Sequence, residues 1–74
     1  MEAETNMSVV KIIEVVGRSS TSSDDAVKSA LSEAQRSLRN VKAVDVVSVG
    51  LRGDNLDEWG ALCRISFLVD NVGE

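Results

Sequence analysis

Side chains able to do chemistry gather at few places in this chain. Asp54, Asn55, Asp57 and Glu58 put four oxygen-bearing side chains within five positions, and Ca²⁺ takes about six to eight oxygens. The spacing has neither the central Gly nor the distant bidentate Glu of an EF-hand loop. A solvated hairpin turn accounts for the same residues, because turns favour Asp, Asn and Gly. Ser19 to Ser23 is hydroxyl-rich, but no glycine-rich cradle and no following Lys make it a phosphate loop; a linker ending in a helix cap explains it. Lys11, Arg18 and Arg64 are scattered cations that could hold a phosphate tail or form surface ion pairs. Arg52-Gly53-Asp54 spells an integrin tripeptide, read here as a turn.

What is missing excludes more. The 74 residues contain no His and one Cys. Histidine acid–base catalysis is therefore out, and a zinc site has no ligand set. Cys63 has no His to activate it and sits between Ala61 and Ile65, which reads as a buried, inert thiol. Eight Lys plus Arg against twelve Asp plus Glu give a net charge of −4. Without a basic cluster, nucleic acid is a poor partner. No apolar run reaches membrane-spanning length and no secretory leader is evident, so a cytoplasmic protein without membrane contact is expected.

These residues need elements to place them. Ser8–Val16 is rich in Val and Ile and reads as a strand with apolar residues on both faces, Val10, Ile12 and Val16 in one phase and Val9, Ile13 and Val15 in the other. Gly17 is expected to break it. Ser22, followed by Asp25, is a short-acid capping box. Val27, Ala30, Leu31, Ala34 and Leu38 then form a helical stripe, with Asn40 expected to end the helix in the left-handed conformation. Lys42–Leu51 is a second strand whose alternation slips at Val46-Val47, suggesting a bulge or two buried faces. Arg52–Asp57 is the turn. Glu58–Val69 is the third strand and alternates well, with Trp59, Ala61, Cys63, Ile65, Phe67 and Val69 on one face. Trp59 on that face reads as core packing. Residues 1–7 are expected to be a disordered extension, 8–70 the domain and 71–74 a flexible tail.

The order strand, helix, strand, strand gives an α+β fold. The last two strands form a hairpin, so an all-antiparallel sheet needs the order 1-3-2 with the helix on one face. One helix leaves the other face bare, although it carries Leu62, Leu68 and one phase of the first strand. Size points the same way. Burying about 7,100 Å², ~60% of it apolar, yields about 105 kcal/mol, while ordering the chain costs about 110 kcal/mol. With no internal disulfide possible, a symmetric homo-oligomer is the expected remedy.

Val10-Lys11-Ile12-Ile13-Glu14-Val15-Val16-Gly17 resembles the opening strand of the dodecins, an aromatic residue followed by Lys-Val-Ile-Glu-Val-Val-Gly-Thr-Ser. Ser20-Thr21-Ser22 and Asp25-Ala26-Val27-Lys28 match the segment opening their helix, and Val44-Asp45-Val46 and Ile65-Ser66-Phe67 sit at their later strand signatures. The resemblance spans Met7 to Val69. It implies a β-α-β-β subunit, a hollow homododecamer and storage of a flavin, riboflavin or FMN, rather than catalysis. It places the flavin locus at Ala43, Asp45 and Gly60. There the sequence departs from the family, because Ala43 stands at the ring-stacking Trp and Gly60 at the Gln that bonds the ring's polar edge. The alternative is a flavin-free shell that binds calcium, with Asp54, Asn55, Asp57 and Glu58 as metal candidates, or that serves a structural role.

Overall fold

The computed structural model describes residues 9–69. Residues 1–8 and 70–74, which include the expected extension and tail, lie outside the described part. The elements are β1 (Val9–Ser19), α1 (Ser23–Ser37), β2 (Val41–Arg52) and β3 (Glu58–Val69). Sheet order is β1-β3-β2, antiparallel throughout. The reason is the one read from sequence: the short turn makes β2 and β3 antiparallel, and β1 can join them only beside β3. The best-patterned strand is therefore central.

β1 departs from expectation. It runs through Gly17 to Ser19, so Arg18 and Ser19 belong to the strand and not to a flexible connection. Gly17 marks a close approach instead of a break. A Cβ there would lie 2.0 Å from the Ala26 carbonyl oxygen and 2.9 Å from the Ala30 Cβ. The helix rests directly on strand backbone at this point.

At the start of α1, Ser22 Oγ accepts the Asp25 N–H at 3.0 Å, as the capping motif predicts. The return half of the box is relayed. Asp25 Oδ2 accepts the Ser19 hydroxyl at 2.8 Å, and Ser19 Oγ accepts the N–H of Thr21 at 2.9 Å and that of Ser22 at 3.4 Å. Asp24 and Asp25 in the first turn and Arg36 in the last suit the helix dipole. The helix stops earlier than its apolar period. Leu38 is the C-cap with extended backbone, its N–H donating to the Ala34 carbonyl. Asn40 does adopt the left-handed conformation, at φ 59°, but as the corner that starts β2.

β2 pairs with β3 through register shifts at Val41/Ala43 and Val46/Ser48. The second is the slip seen in sequence. Val47 is the extra residue, which lets Val46 and Val49 both face the helix side although they are an odd number apart.

The buried core is small: Ala26, Ala30, Ala34, Ala61, Cys63 and Ile65, with Ile13, Val15, Val27, Leu38, Val41, Val44 and Trp59 packed around it. Ala26, absent from the sequence-predicted stripe, is fully buried because Gly17 draws that turn of helix onto the sheet. Fifteen helical residues span about 22 Å, whereas a twelve-residue strand spans about 40 Å. The helix also lies over β1 and β3 more than β2. Val46, Val49 and Leu51 thus stay half exposed on the helix side of β2.

Candidate functional site

The sheet face away from the helix carries Ala43, Asp45 and Gly60, and the pairing register orders it into rows. Ile12, Ser66 and Ala43 form one row, then Glu14, Arg64 and Asp45, then Val16, Leu62 and Ser48, then Arg18, Gly60 and Gly50. Glu58 and Arg52 close the far end. Along β1 this face is apolar and uncovered, with Val10, Ile12 and Val16 each more than half exposed.

Among the described residues two ion pairs cross the face. Arg64 Nε donates to Glu14 Oε2 at 2.9 Å, with Asp45 directly opposite Arg64 on the other flank. Arg18 donates twice to Glu58 Oε1, from Nε at 3.2 Å and Nη2 at 2.7 Å. This bond raises the Arg18 pKa above its ordinary value. Both pairs are solvent-exposed and add little stability.

Ala43 is exposed on this face, and Gly60 is a buried floor position directly opposite Gly50. From Ser66, the partner of Ala43, back to Gly60 is about 20 Å along β3. One chain therefore keeps the two apart, and no pocket exists among the described residues. The side chain missing at Gly60 is replaced by a neighbour. A Cβ there would lie 3.1 Å from Arg52 Cγ and 3.2 Å from Arg52 Nε, and one at Gly50 would lie 2.6 Å from Arg52 Nη1. Arg52 runs diagonally over both glycines. This arrangement escaped the sequence reading, although pairing outward from the turn sets Gly50 against Gly60.

The acidic turn is open. Asp54, Asn55 and Asp57 are exposed, Gly53 and Leu56 take positive φ, and the Leu56 N–H donates to the Gly53 carbonyl at 3.0 Å. Glu58 is engaged by Arg18. Among the described residues no three His, Cys, Asp or Glu come together as a metal-holding group. Cys63 is fully buried on the helix side, its Sγ donating weakly to the Ala61 carbonyl at 3.8 Å. Burial pushes this thiol up from its ordinary pKa, the opposite of what a nucleophile needs. Trp59 faces the helix side and packs on the core.

One helix on one face of a three-stranded antiparallel sheet, with strand order β1-β3-β2, defines a small α+β protein. The family model for the dodecins matches residues 9–70, and the chain belongs to that family. The dodecin of Streptomyces coelicolor is 27% identical with a TM-score of 0.79, covering 88% of this chain and 96% of that one. A Thermus thermophilus protein is 25% identical with a TM-score of 0.78, covering 88% and 98%. The calcium dodecin of Mycobacterium tuberculosis, a calcium-chelating antigen with a novel calcium-binding site, shares the fold at 23% identity and a TM-score of 0.75, covering 86% and 94%. No curated protein matches the chain. No helix among the described residues is long and apolar enough to cross a membrane.

Proposed function

We propose that this chain is the subunit of a hollow homododecamer that binds or stores a small molecule between subunits, the ligand class being a flavin, riboflavin or FMN. The observation that carries this reading is the outer face. Val10, Ile12 and Val16 stand 54–56% exposed on a sheet whose largest fully buried side chains are Ile65 and Cys63. A second copy removes that apolar surface from water, and it also supplies the wall that a site at Ala43, Asp45 and Gly60 lacks in one chain. The role is binding, not catalysis: the chain has no His, and its one thiol is buried.

Affinity for flavin is reduced relative to a site that sandwiches the ring. An aromatic stacking partner is worth roughly 0.5–1.5 kcal/mol beyond its area, and Ala43 provides none. Native mass spectrometry and riboflavin fluorescence quenching test the reading together. A mass of twelve chains with quenching supports it; a single-chain mass overturns the shell, and a twelve-chain mass without quenching overturns flavin storage. Ala43→Trp is expected to raise flavin affinity at least tenfold with the mass unchanged.

One observation favours a second reading, a flavin-free shell holding calcium: the mycobacterial relative with this fold is a calcium dodecin. Asp45, or Asp54, Asn55, Asp57 and Glu58, would then meet equivalent groups of other copies to reach the oxygen count that one chain does not assemble. Calcium raising the melting temperature, with loss of the effect in Asp54→Asn/Asp57→Asn, is the expected result. No shift with calcium sinks this reading.

A further inference from the structure

The outer face carries three arginines, and their partners differ. Arg18 gives its guanidinium to Glu58, and Arg64 bonds Glu14 with Asp45 at its other side. Arg52 donates only to a backbone carbonyl, that of Leu51, from Nη1 at 3.2 Å. Glu58 stands directly opposite Arg52 in the register, yet its Oε1 is taken by Arg18. Among the described residues Arg52 is thus the guanidinium on this face with no carboxylate.

Its position is built, not incidental. The side chain lies across Gly50 and Gly60, where a Cβ would meet Arg52 atoms at 2.6 Å and 3.1 Å. Any larger residue at either position would displace it. On the strands, Arg18, Arg52 and Glu58 at this end sum to +1 and the central row of Glu14, Arg64 and Asp45 to −1; the adjoining turn adds the exposed Asp54 and Asp57, whose charges are open to screening by salt.

Chemistry then selects the ligand. A guanidinium has five N–H donors and no acceptor. Gly60 offers no side chain to accept from an N–H on the edge of a neutral ring, and the one carboxylate beside Arg52, Glu58, is already bonded by Arg18 through Oε1. A phosphate or carboxylate needs donors alone, and the guanidinium fork matches its geometry and charge. We propose that Arg52, laid over the Gly50–Gly60 pair, is the specificity-determining residue of this site and selects a small molecule bearing a phosphate or carboxylate. The proposal rests on the outer face being the binding face between subunits.

The test compares FMN, which bears a phosphate, with riboflavin, which does not, on protein whose native mass has been measured. FMN is expected to bind at least tenfold tighter at low salt. In Arg52→Gln, with the mass unchanged, the ratio should fall to within twofold, and Arg52→Lys should keep part of it. Equal binding of both flavins by the wild-type protein, or an unchanged ratio in Arg52→Gln, overturns the proposal. Where neither flavin binds, or Arg52→Gln does not assemble, inorganic phosphate decides: a rise in melting temperature for the wild-type protein that is reduced in Arg52→Lys supports the assignment, and no rise overturns it. A single-chain mass refutes the shell by itself, and the phosphate measurement still decides Arg52.

Discussion

At Gly17 the missing side chain matters more than most that are present. A methyl group there would sit 2.0 Å from the Ala26 carbonyl oxygen and 2.8 Å from the Ala30 nitrogen, and both are backbone atoms that move only with the helix. Gly17→Ala should therefore cost at least the roughly 1–3 kcal/mol typical of overpacking; a urea midpoint equal to wild type would show that α1 does not rest on β1 here. Cys63 behaves oppositely, since nothing reaches it. In native protein at neutral pH it should resist a thiol reagent and react fully in denaturant. Its raised pKa also fixes a sign. Below the ordinary thiol range both folded and unfolded forms hold the proton, so stability is unaffected. As pH rises through that range the unfolded chain ionises first, and stability declines. Trp59 and Cys63 were legible as core residues because strand alternation alone assigns their face. Gly17 was not, because its role depends on a helix that alternation cannot locate.

Among the elements, α1 owes its start to a hydrogen-bond relay more than to a single cap. Ser22→Ala should lose about 1 kcal/mol. Ser19→Ala should lose more, because the hydroxyl of this residue, only 8% exposed as a whole, accepts from two backbone N–H groups and donates to Asp25. Thermal melts of the two variants check the order; an equal loss would mean that water replaces Ser19. The cap at Ser22 was written in the sequence as a local motif. Ser19 was hidden because its partners come from the turn of chain that follows β1, which reads as a plain hydroxyl-rich linker. β2 shows the same boundary of legibility. The slip at Val46-Val47 announced a bulge or two buried faces, and the bulge is what forms, but the Gly50–Gly60 pairing that lets Arg52 lie flat on the sheet needs the register across two strands.

For the whole molecule, the sheet order followed from hairpin geometry, and the bare face from the count of one helix against three strands. The residues that the sequence offers as a flavin locus share one face, but their separation was not legible: Ala43 and Gly60 lie about 20 Å apart once the register is set. Ile12→Lys or Val16→Glu, set on the exposed outer face, should reduce the solution mass measured by light scattering while leaving the helical circular dichroism of any released chain in place. Retention of the full assembly in both variants would mean that this face is not where copies meet.

The slight interior described above also bears on calorimetry. Among the described residues the buried core side chains are four alanines, a cysteine and an isoleucine, so one chain's own heat-capacity increment is smaller than that of an assembly which also conceals the outer face. An increment larger than one chain's own burial accounts for would come from surfaces that neighbouring copies conceal. The curvature of the stability curve thus becomes a gauge of quaternary burial.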